Sequence, residues 1–209
     1  MKIILIGATG YTGSRICHEA LMRDHDVTAI VRDVSRIMAH PRLTPVEMDV
    51  RQGGQALVRV ADGHNVLISA FNPGKDPSGR GIETIMEAAR QCKPMRLLVV
   101  GGAGSLEIEP GKRLVDQPDF PEQWKVGALI TAAFLDELRR RSSELSWTCI
   151  SPAANLVPGT RTGAYRVGGD RLLTDSHAES LISVEDYAVA MIDEMETMAH
   201  PNTRISVAY

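Results

Sequence analysis

From Lys2 to Ile6 the chain is apolar after its first residue, and Gly7 follows at once. Strand-like runs of the same kind recur at Val27 to Val31, Pro45 to Met48, Val66 to Ala70, Leu97 to Gly101, Trp147 to Ile150 and Arg204 to Val207. Several are apolar throughout instead of alternating. A strand with no polar face is buried on both sides, which happens when helices cover both faces of a parallel sheet. Between the runs, apolar residues return with helical spacing at Thr12 to Arg23, briefly near Val34 to Met38, and at Gln52 to Ala61, Arg80 to Gln91, Trp124 to Arg141 and Val184 to Thr197. This alternation predicts an α/β fold on a doubly wound parallel sheet. A chain of 209 residues fits one domain, 1–209,.

Local signals sharpen the ends of the elements. Ser183 precedes the last helix and Asp186 follows three residues later, a variant of the capping box,. Arg139, Arg140 and Arg141 close the helix that starts at Trp124, where cations offset the negative end of the macrodipole,. Glycine and proline concentrate from Asn72 to Gly81, Gly101 to Pro121 and Pro152 to Gly169, each stretch following an expected strand. Ligands of open parallel sheets bind outside the carboxyl ends of the strands, so these loops are candidate site walls. Residues 152–183 are expected to form a small C-terminal lobe on the substrate side.

Composition narrows the function classes. Hydrophobic residues are 44% and charged residues 23%, the balance of a globular protein,. Lysine and arginine number 23 against 26 aspartates and glutamates, a net charge of −3 that offers no footprint for nucleic acid or an anionic membrane,. No apolar segment reaches the roughly 18 residues of a membrane span. Cys17, Cys92 and Cys149 form no CxxC pair, which suits reduced thiols in the cytoplasm,. The six histidines show no HxxxH or HExxH spacing, so no metal site is expected,.

The segment that carries chemistry is Gly7-Ala8-Thr9-Gly10-Tyr11-Thr12-Gly13, set between the first strand and the first helix. One glycine permits the tight turn, a second lets a diphosphate approach the backbone, and a third lets helix and strand pack closely. The helix N-terminus adds free N–H groups and partial positive charge. The architecture is therefore Rossmann-like and the expected ligand a dinucleotide. At the end of the second strand, where a carboxylate would bind the ribose 2′-hydroxyl of NAD, stand Arg32 and Asp33,. A guanidinium suits a 2′-phosphate that a carboxylate would repel, so NADP(H) is favoured over NAD(H), with Arg36 as a second cation. Arg32 as a solvated strand end and Asp33 as a cap of the short helix is the structural alternative.

These residues resemble the short-chain dehydrogenase/reductase superfamily, specifically its atypical NAD(P)H-binding members: NmrA-like regulators, biliverdin reductase B-type flavin reductases and NADH-flavin reductases. The likeness spans nearly the whole chain and rests on the glycine turn, Val31-Arg32-Asp33, Met48-Asp49-Val50, Ser69-Ala70-Phe71, Val99 to Ser105, Trp147 to Ala153 and Ser183 to Ala188. It implies that Gly7, Thr9, Gly10, Tyr11, Thr12, Gly13 and Arg32 hold the cofactor. It further implies Asp49 and Val50 beside adenine, Ser69, Ala70 and Phe71 along the ribose and diphosphate, and Gly101 and Gly102 near the nicotinamide. An epimerase/dehydratase-like protein is also implied.

The chain departs from the superfamily at its usual Tyr-x-x-x-Lys pair, in which lysine lowers the tyrosine pKa for proton exchange. Counting back from Trp147 puts those positions at Leu129 and Ala133, both inert. Substitutes are Lys125, one helical turn before Leu129; Ser105, after the fifth strand; and His177, in a loop that could close over the cofactor. Each has an ordinary alternative as surface lysine, turn serine or idle loop histidine. Tyr165 and Arg166 could line a pocket or only pack a strand. An intact cofactor half without a proton-transfer pair suits hydride transfer to a flavin, quinone or similar conjugated acceptor. An NADP(H)-sensing regulator without catalysis, or an epimerase/dehydratase-like enzyme on a nucleotide sugar, stand as alternatives.

Overall fold

The computed structural model describes residues 1–209. Seven of the strands lie where apolar runs foreshadow them: β1 (Lys2–Ile6), β2 (Asp26–Val31), β3 (Leu43–Glu47), β4 (Val66–Ser69), β5 (Arg96–Val100), β8 (Ser146–Pro152) and β12 (Thr203–Ala208). With β10 (Arg166–Gly168) they form an eight-stranded sheet of order β10-β12-β8-β5-β4-β1-β2-β3, parallel except for β10 at its edge. The chain leaves β3 at the far edge and returns to β4 beside β1, so the strand order reverses between β1 and β4. A crevice opens at such a switch point. The fold is thus the expected doubly wound, Rossmann-like α/β sheet.

Helices cover both faces. α1 (Tyr11–Met22) and α5 (Val184–Thr197) pack together on one side. α2 (Val50–Ala61), α3 (Arg80–Gln91) and α4 (Glu122–Arg140) cover the other. Because β1 is sandwiched, its residues alternate between two cores: Ile3 and Leu5 enter the α1/α5 core, Ile4 and Ile6 the opposite one. That double burial is why the strand shows no polar alternation.

Four details differ from the sequence expectations. The short helix near Val34 is one 3₁₀ turn, Val34–Arg36, whose cap is Asp33: its Oδ1 accepts from the Ser35 N–H at 3.0 Å and from Ser35 Oγ at 2.6 Å. α2 starts at Val50, before Gln52, because the Asp49 carboxylate caps it by accepting from the Arg51 N–H at 3.0 Å. The capping box of α5 is half formed. Ser183 Oγ accepts from the Asp186 N–H at 2.9 Å, while the Asp186 carboxylate turns to Thr162 and Gly163 N–H, Thr162 Oγ1 and Tyr209 Oη, at 2.6–2.8 Å. Finally, strands of two or three residues were not foreseen: the hairpin β6 (Glu107–Glu109) and β7 (Lys112–Arg113), the parallel pair β9 (Asn155–Val157) and β11 (Leu181–Ser183), and β10. Within 152–183, β9 and β11 build the small sheet and β10 extends the large one.

The arginines that end α4 are paired: Arg139 with Asp170 at 2.7 Å, Arg141 with Glu137 at 2.5 Å and Glu83 at 3.0 Å, and Arg140 with Glu137. All three cysteines are free thiols, and burial pushes Cys17 up to about 11 and Cys149 up to about 12. No helix is long and apolar enough to cross a membrane.

A buried polar cluster ties α5 to the sheet. Arg96, on β5, reaches Glu194 of α5; the Glu194 carboxylate also accepts from the His200 N–H at 3.0 Å and meets His200 Nδ1 at 2.7 Å. Burial raises the Glu194 carboxyl, and hydrogen bonds from His200 and Arg96 outweigh it and hold the group below its ordinary 4.5. Asp186 behaves alike: burial raises it, and bonds from Thr162 and Tyr209 hold it below 3.8. A carboxyl depressed in the folded state stabilises it fully above the unfolded value and ceases to do so as pH falls through the folded value. The melting temperature is therefore expected to stay level from neutral pH to about pH 5 and to drop below about pH 4, less steeply in Asp186→Asn. A melting temperature unchanged down to pH 3 would contradict this role for the two carboxylates.

Candidate functional site

A cleft of about 640 Å³ opens at the carboxyl ends of the central strands, at the switch point. Its floor is the glycine turn. Gly7 has φ +81°, and a Cβ there would stand 2.7 Å from the Ala70 carbonyl oxygen. Both the positive φ and the neighbouring strand therefore require glycine. A Cβ on Gly13 would sit on the Gly7 carbonyl. Gly10 is the N-cap of α1 and carries no capping side chain, and no acidic residue stands in the first turn. The N–H groups of Tyr11, Thr12 and Gly13 have no partner within the protein. A glycine-walled cradle with unsatisfied donors at the positive end of a 12-residue helix fits a diphosphate,.

Of the sequence candidates, Gly7, Thr9, Gly10, Tyr11, Thr12 and Gly13 line this cleft, as do Arg32, Asp49, Val50, Ala70, Phe71 and Gly101. Arg32 and Arg36 both face it, and neither has a carboxylate partner. Asp33, occupied with its 3₁₀ turn, is not among the lining residues. Asp49 is clamped by the Arg51 guanidinium, whose hydrogen bonds hold the carboxyl below its ordinary range against a smaller effect of burial. Tyr11 leans toward β9, its hydroxyl donating to the Leu156 carbonyl at 3.3 Å and its ring under Arg15 at 5.4 Å.

The other candidates lie elsewhere. Ser69 is fully buried beneath the cleft, its hydroxyl without a partner. Gly102 backs onto Thr131, 3.3 Å from where its Cβ would be. Ser105 Oγ accepts from Arg204 Nη1 at 3.1 Å, and Arg204 is itself held by Asp170 at 2.7 Å. That hydroxyl braces the loop after β5. Lys125 stands on the exposed start of α4, 3.8 Å from Glu122. His177 lies on an exposed turn whose N–H donates to Asp175 Oδ1 at 2.8 Å, away from the cleft. Tyr165 donates to Asp193 at 2.5 Å and Arg166 Nε to the Tyr209 carbonyl at 2.9 Å, so both serve packing. Leu129 and Ala133 are exposed on α4; the residue that α4 brings to the cleft is Thr131.

Arg51, Asn72, Lys75 and Thr131 line the cleft and were not foreseen. Asn72 and Lys75 sit in the Gly/Pro-rich loop after β4, which marked the segment without marking the residues.

A family profile described as NAD(P)H-binding matches residues 7–195. The chain belongs to this NAD(P)H-binding family. It is 39% identical over 216 residues to the uncharacterized protein YwnB of Bacillus subtilis (strain 168), covering 99% of this chain and 98% of that one. Among solved structures it is similar to a "putative epimerase" from Bacteroides thetaiotaomicron, at 41% identity and TM-score 0.93 over 100% of this chain and 96% of that one. It is similar as well to a "putative NADH-flavin reductase" from Streptococcus pneumoniae TIGR4, at 35% identity and TM-score 0.84 over 100% and 99%. A family member thus carries a nicotinamide dinucleotide as its ligand, and the glycine cradle with its free donors suits that ligand's diphosphate.

Proposed function

We propose that this NAD(P)H-binding protein is an oxidoreductase that passes a hydride to a flavin, quinone or similar conjugated acceptor. The observation that carries the reading is a cleft suited to the dinucleotide to which α4 contributes Thr131, so that helix brings neither a tyrosine nor a lysine to the cleft. When bound, the nicotinamide supplies the hydride from its C4. The chain's part is to hold that carbon and the acceptor face to face and to keep water out, because a conjugated acceptor spreads the incoming charge over its own rings. The likeness to a protein described as a flavin reductase supports this reading. The glycine turn, Arg32, Asp49, Val50, Ala70, Phe71 and Gly101 would hold the dinucleotide. The three free thiols suit a cytoplasmic setting,. The test is NADPH consumption by the purified protein against FMN, riboflavin and quinones. Turnover supports an oxidoreductase; tight NADPH binding with no turnover across the panel overturns it in favour of a sensor.

The preferred cofactor is NADPH. Arg32 and Arg36 present two unpaired guanidiniums at the end of β2, where a ribose 2′-phosphate would meet them, and Asp33 is turned away into its cap,. Arg32→Asp is expected to weaken NADPH by about tenfold or more and to leave NADH within about twofold, read as dissociation constants from nicotinamide fluorescence. An unchanged ratio of the two constants would show that Arg32 does not read the 2′-phosphate.

A further inference from the structure

Thr131 lines the cleft, but its hydroxyl donates to the Gly127 carbonyl at 2.8 Å, so that proton is already engaged. Gly127, one turn earlier on α4, faces the turn that follows β4. A Cβ on Gly74 would stand 2.8 Å from the Gly127 Cα, so the two backbones meet where side chains would hold them apart. The missing side chain on α4 is what admits this turn. It is fixed from within: Asn72 Oδ1 accepts from the Gly74 N–H at 3.0 Å. The buried Asp76 next in sequence accepts from the Gly81 N–H at 2.7 Å and from Ser78 Oγ at 2.5 Å. Lys75 lies between these two anchors. It lines the cleft, and its ammonium has no carboxylate or carbonyl partner. The other cations of the cleft are accounted for, Arg51 by Asp49 and the Arg32–Arg36 pair by its place at the end of β2.

We infer that Lys75, delivered by the Gly74–Gly127 contact, is the proton donor of the acceptor site, and that the acceptor is a conjugated carbonyl compound. The inference rests on the oxidoreductase reading above. The acceptor's ring takes the hydride and its electron pair, a C–H or N–H bond forms, and negative charge collects on a conjugated carbonyl oxygen. The Lys75 ammonium stabilises that charge and gives the oxygen a proton, then regains one from solvent. The two electrons come from the dinucleotide, which is oxidised as the acceptor is reduced. The anchored turn fixes the Lys75 backbone at the cleft, and the exposed side chain has only its own rotation to make to reach the oxygen,. A tyrosine on α4 is then unnecessary.

The test uses the full chain with a naphthoquinone and with FMN as acceptors, and Lys75→Met, Lys75→Arg and Gly74→Ala as variants. Lys75→Met is expected to lower kcat by about tenfold or more while the NADPH dissociation constant, read from fluorescence, stays within about twofold. Lys75→Arg should recover only the part of the loss that charge stabilisation accounts for, because a guanidinium keeps its proton. Gly74→Ala, which levers the turn off α4, should lower kcat in the same direction with Lys75 still present. A kcat untouched by Lys75→Met overturns the inference and leaves the oxidoreductase reading intact. A weakened NADPH constant with kcat unchanged overturns it too, by making Lys75 a cofactor contact. A wild-type protein that reduces neither acceptor overturns both readings.

Discussion

Gly10→Val is expected to cut the affinity for NADPH by on the order of a hundredfold, about 3 kcal/mol, in a protein that still folds. Gly10 has φ −80°, open to any L-residue, and a Cβ there would meet only the Gly7 carbonyl oxygen at 3.2 Å, a contact relieved by a few tenths of an ångström. The backbone therefore tolerates the change. The branched side chain instead occupies the space in front of the Tyr11, Thr12 and Gly13 N–H groups, the free donors at the head of α1. Each charge-assisted hydrogen bond lost there is worth about 1.5–3 kcal/mol, so losing two suffices for the stated effect. Valine is also a poorer N-cap than glycine, which should cost about 1 kcal/mol and lower the melting temperature by about 2–4 °C. Gly13→Val is the contrasting variant: its Cβ would fall on the Gly7 carbonyl, and the fold itself should suffer. Fluorescence titration and a melting curve separate the two, and a Gly10→Val protein with wild-type NADPH affinity would remove the diphosphate from this turn.

Glu194→Ala should be the most destabilising single change away from the cleft, at about 3–5 kcal/mol. Glu194 and Arg96 are 3% and 4% exposed, so removing the carboxylate leaves a guanidinium under α5 with no countercharge. Arg96 would keep only the Glu194 carbonyl at 3.0 Å and Thr148 Oγ1 at 2.5 Å, and the His200 N–H would lose its acceptor. Replacing both charged residues by methionine removes both desolvation costs together and should restore most of the loss. Denaturant unfolding of the two single variants and the double variant measures this directly. A Glu194→Ala cost below about 1 kcal/mol, or a double variant no better than the single, would show that the pair is not what anchors α5 to the sheet.

Both predictions concern groups that the sequence reveals unequally, and the difference is one of range. β1 and β5 are readable because burial on two faces writes an uninterrupted apolar run, and α5 because its cap is local. β6, β7, β9, β10 and β11 have two or three residues each, too few for any periodicity, and backbone pairing with distant segments defines them. Within the cleft, the glycine turn and Arg32 are legible for the same local reason as a cap: the geometry lies in consecutive residues. Lys75 and Thr131 arrive there through the approach of Gly74 to Gly127, 53 positions on. Ser105 shows the converse. Its place after β5 suggests chemistry, and its hydroxyl is taken by Arg204, brought in by the last strand.

The most direct measurement is a single-turnover reaction of the protein with NADPH carrying deuterium on one or the other face of the nicotinamide C4, with a naphthoquinone or FMN as acceptor. Direct hydride transfer in a fixed cleft predicts oxidation slowed by more than about twofold for one label and unaffected for the other, a difference in barrier of roughly half a kcal/mol. NADPH that binds and is not oxidised, whichever acceptor is supplied, would contradict the account at its centre.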